Sequence, residues 1–183
     1  MLDSEDKELL TKFRNQDTRH YAFNLLVRKY QQRVYWHIRR IVISHDDADD
    51  VVQNTFIKVW KGLDNFKEDS QLYTWLYRIA TNESITFLNQ KKTRMFVSLD
   101  GTEAALAKNL EDDHFFKGDE IQKKLQLAIL KLPEKQRIVF NMKYYDEMKY
   151  EDMAEVLDTS VGALKASYHH AVKKIEEYVT NID

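Results

Sequence analysis

Tyr150-Glu151-Asp152-Met153-Ala154-Glu155-Val156-Leu157-Asp158-Thr159-Ser160-Val161-Gly162-Ala163-Leu164-Lys165 is the stretch that decides the fold. Met153 and Leu157 lie four apart on one helical face, and Leu164 continues that face beyond Asp158-Thr159-Ser160. The pattern is two helices around a three-residue turn, the spacing of a helix-turn-helix. Ala154 is the small residue where the helices cross. Asp158 occupies the turn position that takes left-handed backbone, which Asp tolerates better than most residues at a cost of about 1 kcal/mol. Ser160 is placed to cap the second helix. A DNA-binding unit of this kind puts the first turns of its second helix into the major groove. Here those turns would present Ser160, Val161, Gly162, Ala163, Lys165, Ala166 and His169, with Lys173 and Lys174 further on for phosphates. A hairpin packed only for structure would carry much of the same pattern. His169 and His170 do not make a metal site, because neighbouring helical positions point about 100° apart.

Working outward, Ile121, Leu125, Ala128, Ile129 and Leu132 share another helical face. Pro133 suits the first turn of the next helix, where a missing N–H costs nothing. That helix continues through Ile138, Val139, Phe140 and Met142. Residues 93–120 lose this periodicity, hold Gly101 and Gly118, and carry a net charge of −4. They read as a flexible acidic linker. The expected organisation is all-α: a helical domain over 1–92 with net charge +2, the linker over 93–120, and a neutral helical domain over 121–183. The linker's charge also raises a closed form of the free chain, in which it is drawn onto basic DNA faces.

In the first domain, Phe23, Leu26, Val27, Tyr30, Val34, Ile38, Ile41 and Val42 predict a long amphipathic helix from about Thr18 to Ile43. Ser44-His45-Asp46-Asp47 then offers an N-cap for a helix to about Lys61, with Gly62 as its C-terminal cap. Asp49, Gln53, Phe56 and Trp60 fall on one stripe of that helix, with Asp50 beside it. Such a stripe either docks a partner helix or packs into the core. A third helix from near Ser70 ends in Lys91-Lys92. With Phe66 before it, it collects Tyr73, Trp75, Tyr77, Arg78 and Phe87. Rings interleaved with cations suit single-stranded DNA, because bases stack on rings and phosphates pair with Arg and Lys. Trp75 and Leu76 read as core.

Composition narrows the function. Four glycines, one proline and 32% charged residues disfavour a β fold and favour helices, while 12% aromatics can fill a core. The chain has no cysteine, which excludes disulfides and Cys-based zinc sites and fits a reducing cytoplasm. The start, Met1-Leu2-Asp3-Ser4-Glu5-Asp6, is acidic and unlike a signal peptide, and no apolar run approaches the length of a bilayer span. A net charge of −2 argues against a free-standing DNA binder, which is usually basic, and permits one that meets DNA beside a larger partner. There is no Gly-rich phosphate loop, nucleophile motif or metal set, so no catalysis, cofactor, metal or small-molecule substrate is expected.

Several motifs in order resemble the extracytoplasmic-function sigma factors of bacterial RNA polymerase. They are Asp49-Asp50-Val51-Val52-Gln53-Asn54-Thr55-Phe56-Ile57-Lys58-Val59-Trp60, Thr74-Trp75-Leu76-Tyr77-Arg78-Ile79-Ala80-Thr81-Asn82, Leu132-Pro133-Glu134-Lys135-Gln136-Arg137, and Tyr150 to Leu157 followed by Val161 to Lys165. The resemblance implies a sigma region 2 bundle that binds core RNA polymerase through Asp49, Asp50, Gln53, Phe56 and Trp60. It implies melting and recognition of the minus-ten element by Phe66, Tyr73, Tyr77, Arg78, Asn82, Lys91 and Lys92. It further implies a sigma region 4 helix-turn-helix that reads the minus-thirty-five element through Ser160, Val161, Gly162, Ala163, Lys165, Ala166, His169 and Lys173. A cytoplasmic chain, monomeric when free or held 1:1 by an anti-sigma factor, follows from the same resemblance. Thr86 and Asn89 stand where the family usually has Asp and Arg, Ala166-Ser167 replaces a common Ser-Arg pair, and His170 replaces a frequent Arg. These departures bear on which promoter is read. The competing reading is a stand-alone helix-turn-helix regulator, which leaves the first domain without a purpose.

Overall fold

The computed structural model describes residues 2–95 and 120–180, and every α or β element among them is helical. Helix α1 spans Ser4–Arg14, α2 Arg19–Val42, α3 His45–Gly62 and α4 Leu72–Met95; a 3-10 turn covers Leu63–Asn65. The second group is α5 Glu120–Leu130, α6 Glu134–Tyr144, α7 Tyr150–Leu157 and α8 Val161–Thr180. The body of the expected linker, residues 96–119, lies outside the described residues, as does any closure made by it.

Local chemistry sets most boundaries. Asp3 caps α1 by accepting the Asp6 N–H at 2.8 Å, and Ser44 caps α3. Helix α2 ends at Ile43, whose φ of 69° turns the chain toward α3. Four expectations need correction. Helix α1 was not expected. Gly62 does not cap α3; it is the last helical residue, with φ −98°, and an added Cβ there would meet Trp75 Cζ2 at 3.2 Å. A close approach of α4 to α3, not left-handed backbone, therefore uses the glycine. Pro133 precedes the first turn of α6 as its N-cap. Helix α4 continues through residues 93–95, beyond the expected edge at 92.

Helices α2, α3 and α4 pack on one another, and α1 covers α2. Leu26, Val34, Ile38, Val59, Leu72, Leu76 and Ala80 are fully buried there. Helix α1 is anchored by a buried carboxylate. Asp6 accepts the Tyr30 hydroxyl at 2.8 Å and Lys29 Nζ at 2.9 Å. Burial opposes the Lys29 charge, but its bonds to Asp6 and Glu5 outweigh that and hold its pKa above the usual range.

Ala128, Ile129, Leu132, Phe140, Ala171 and Ile175 form a core between α5, α6 and α8. A second apolar set, Met142, Met148, Met153, Val156 and Leu164, belongs to the same cluster as the core of α1–α4. The two groups are therefore docked, α7 against α4 and α6 against α2.

Candidate functional site

The helix-turn-helix is built by α7, the turn and α8. Asp158 adopts the left-handed conformation, with φ 49° and ψ 53°, and its N–H bonds the Ala154 carbonyl. Ser160 Oγ accepts the Ala163 N–H at 3.2 Å and caps α8. Met153 and Leu164 are buried, holding the two helices together. Ser160, Gly162, Ala163, Lys165, Ala166, His169 and Lys173 are exposed, and Val161 is half-buried. A Cβ on Gly162 would meet nothing within 4 Å. The start of α8 is thus an open surface that a groove can reach. Lys165 Nζ lies over the Tyr150 ring of α7, 5.7 Å from its centre, on an exposed side chain. The His169 and His170 rings stand 6.0 Å apart and 57° askew.

On α3, Asp49, Asp50 and Gln53 are exposed, but Phe56 is 8% exposed and Trp60 half-buried. The stripe begins in solvent and ends inside because α1 covers its far end. Phe13 meets the Trp60 ring edge-on at 5.3 Å, Phe23 lies 4.9 Å away, and His20 stacks at 5.0 Å. Phe56 is therefore packed inward, and Trp60 is only partly accessible. The exposed face continues instead through Asn54, Ile57 and Lys61, with Ile57 51% exposed. Ile57 was not among the residues expected at this face. The available signal was an apolar residue off the Val51, Thr55, Val59 core stripe.

Seven residues expected to meet the minus-ten element divide by environment. Arg78 and Asn82 are exposed on one face of α4, which Thr86, Asn89 and Thr93 extend. Thr86, Asn89, Gln90, Thr93 and Arg94 line a cleft of about 390 Å³. Phe66 is 6% exposed and packs on Trp75 at 5.2 Å, and Tyr77 is 2% exposed with its ring 4.5 Å from His37. These two rings do not face solvent as expected; the surrounding helices claim them as packing. Lys91 binds Asp47 of α3 at 2.5 Å. Tyr73 and Lys92 reach across to the second helical group, Tyr73 donating to Asp152 and Lys92 to Glu134 at 2.9 Å. Burial, then the bond to Asp152, pushes the Tyr73 phenol up to about 12.

Between the groups, the Asp146 side chain is only 4% exposed. It pairs with His37 Nδ1 at 2.8 Å and accepts Arg40 Nη1 at 2.9 Å. His37 Nε2 lies 2.8 Å from the Thr81 hydroxyl on α4. A carboxylate only accepts, so Nδ1 carries a proton here.

Family models for sigma-70 region 2 and sigma-70 region 4 match residues 26–94 and 122–175. The RNA polymerase sigma-H factor of Pseudomonas aeruginosa is 33% identical over 187 residues, covering 97% of this chain and 95% of that one. The ECF RNA polymerase sigma-E factor of Salmonella typhimurium is 35% identical over 166 residues, 86% of each chain. Among solved structures, CnrH in complex with the cytosolic domain of CnrY matches 98% of this chain and 100% of its own with TM-score 0.70 and 24% identity. The sigma factor RpoE bound to the anti-sigma factor NepR, from Bartonella quintana, matches 86% and 96% with TM-score 0.65 and 21% identity. Both share the fold.

Proposed function

Because the chain belongs to the sigma-70 family of RNA polymerase sigma factors, in its extracytoplasmic-function branch, we propose that it binds core RNA polymerase in the cytoplasm and directs it to a subset of promoters, without catalysing a reaction itself. The observation that carries this is the ordered pair of matched regions, 2 and then 4, on one all-α chain. A stand-alone helix-turn-helix regulator would have no use for region 2. The division proposed is 1–92 for polymerase binding and minus-ten recognition, 93–120 as linker, and 121–183 for the minus-thirty-five element, with the inner edges near the end of α4 and the start of α5.

The roles follow the surfaces. Asp49, Asp50, Gln53 and Ile57 form the polymerase-docking face, an apolar centre within a polar rim. Arg78 and Asn82 meet the minus-ten element from the open face of α4, and Tyr73 and Lys92 supply a ring and a cation for the melted strand. At the minus-thirty-five element, Ser160, Gly162, Ala163, Lys165, Ala166 and His169 approach the groove, and Lys173 takes a phosphate. An anti-sigma factor is the partner that would hold the chain inactive, as NepR is the partner of the similar RpoE. Replacing Lys165 with Ala is expected to weaken binding to a minus-thirty-five duplex about tenfold while leaving core-polymerase affinity unchanged, measured by fluorescence anisotropy for both. Equal loss of both would remove the division of labour.

A further inference from the structure

Beside the helix-turn-helix lies a cleft that none of the roles above uses. Its volume is about 360 Å³. Ile138 and Val139 of α6 and Leu164 of α8 form a buried floor, and the half-buried Leu157 of α7 and Ile85 of α4 close its sides. The polar lining is confined to Glu134, Lys135, Thr159 and Ser167. Lys135 and Thr159 are exposed, so they mark the mouth.

The cleft is poorly matched to water, because a bound water needs several polar partners and the side chains of the floor offer only apolar groups. It is well matched to an apolar body. A dry cavity of about 150 Å³ holds a benzene ring, so this space accommodates about 14 non-hydrogen atoms. The mouth selects the head group. Glu134 is already bound to Lys92 of α4 at 2.9 Å. Among the described residues Lys135 makes no ion pair, and the Thr159 and Ser167 hydroxyls make no hydrogen bond. One cation and two hydroxyl donors at the end of an apolar slot suit a carboxylate carried on an alkyl chain.

We propose that this cleft is a binding site for a medium-chain alkyl carboxylate, with its chain on Ile138, Val139 and Leu164 and its head at Lys135, Thr159 and Ser167. Dodecanoate has the required size, while octanoate would leave part of the floor uncovered. An alkyl ammonium of the same length would set its charge against Lys135. Ala163 lines both the cleft and the open start of α8, so an occupant touches the helix proposed to read duplex DNA. The site itself stands independently of that reading.

Isothermal titration of the full chain with dodecanoate, below its micelle concentration, tests the proposal. One saturable site is expected, with octanoate at least about tenfold weaker because fewer methylenes are buried. Dodecyltrimethylammonium should give no measurable binding. Lys135→Glu should lower dodecanoate affinity about tenfold and admit the ammonium, because the charge at the mouth is reversed. Ser167→Leu narrows the slot and should weaken dodecanoate about tenfold while sparing the shorter octanoate. Circular dichroism checks that each variant folds. Lys135 is exposed, so its variant decides the matter even if Ser167→Leu does not fold. Absence of a saturable site would overturn the proposal, as would dodecanoate binding unchanged in either folded variant. Neither polymerase nor DNA enters the measurement, so its outcome is distinct from that of the sigma role.

Discussion

Asp158 carries a conformational cost that a glycine would not, because its φ of 49° crowds Cβ against the backbone. Asp158→Gly is expected to stabilise the chain by about 0.5–1 kcal/mol in thermal unfolding without altering DNA affinity. The turn chemistry at Asp158 and Ser160 was legible in the sequence because both act on neighbours within a few positions. Phe66 and Tyr77 were not legible as buried groups, and for Phe56 and Trp60 the stripe left docking and core packing both open, because what covers these rings comes from elsewhere in the chain. Trp60 shows the difference. Its ring is covered by Phe13, nearly fifty positions away, so no spacing rule on α3 can reveal its burial. Two substitutions separate packing from docking on that helix. Trp60→Ala should cost about 3 kcal/mol of stability. Ile57→Asp should leave the melting temperature nearly unchanged while lowering core-polymerase affinity at least tenfold, measured by surface plasmon resonance. A loss of stability in both would return Ile57 to the packing set.

Helices α2, α3 and α8 could be read from periodicity because each buries a long stripe and has a local cap or a turn residue at an end, and the short α7 from the turn residue Asp158 that ends it. Helix α1 could not. It is short, with Leu10 and Phe13 as its buried apolar residues, and short helices gain most of their stability from tertiary contact. That contact centres on Asp6, beneath Tyr30 and Lys29. Asp6→Ala would leave the buried Tyr30 hydroxyl without its acceptor and reduce the carboxylate partners of Lys29 to Asp3 and Glu5. It is expected to cost about 2 kcal/mol and to raise amide exchange first in α1, measured by hydrogen exchange. Gly62 belongs to the same lesson, since its use depends on where α4 crosses α3 and not on the end of its own helix.

The order of two helical domains was visible in charge and pattern, whereas their docking was not, because it depends on Asp146, Asp152 and Glu134 meeting residues more than forty positions away. Among the described residues the contact between the groups is made by helix faces; any share of the acidic linker lies outside them. Docking also has a pH dependence with a defined sign. The Tyr73 phenol ordinarily titrates near 10.0 and is raised to about 12 in the docked form. Its contribution is therefore complete below pH 10 and is lost as pH rises toward 12. The domains of the wild-type chain should separate over that window in small-angle scattering. Tyr73→Phe should lessen the dependence, while unfolding of the remaining buried tyrosines provides the background. Every role proposed for these surfaces depends on the chain's binding to polymerase. The measurement that tests it most directly is gel filtration of the purified chain with bacterial core RNA polymerase, followed by run-off transcription. Co-elution with initiation that depends on the promoter is the expected result; no co-elution, with tight binding of the free chain to duplex DNA, would contradict it.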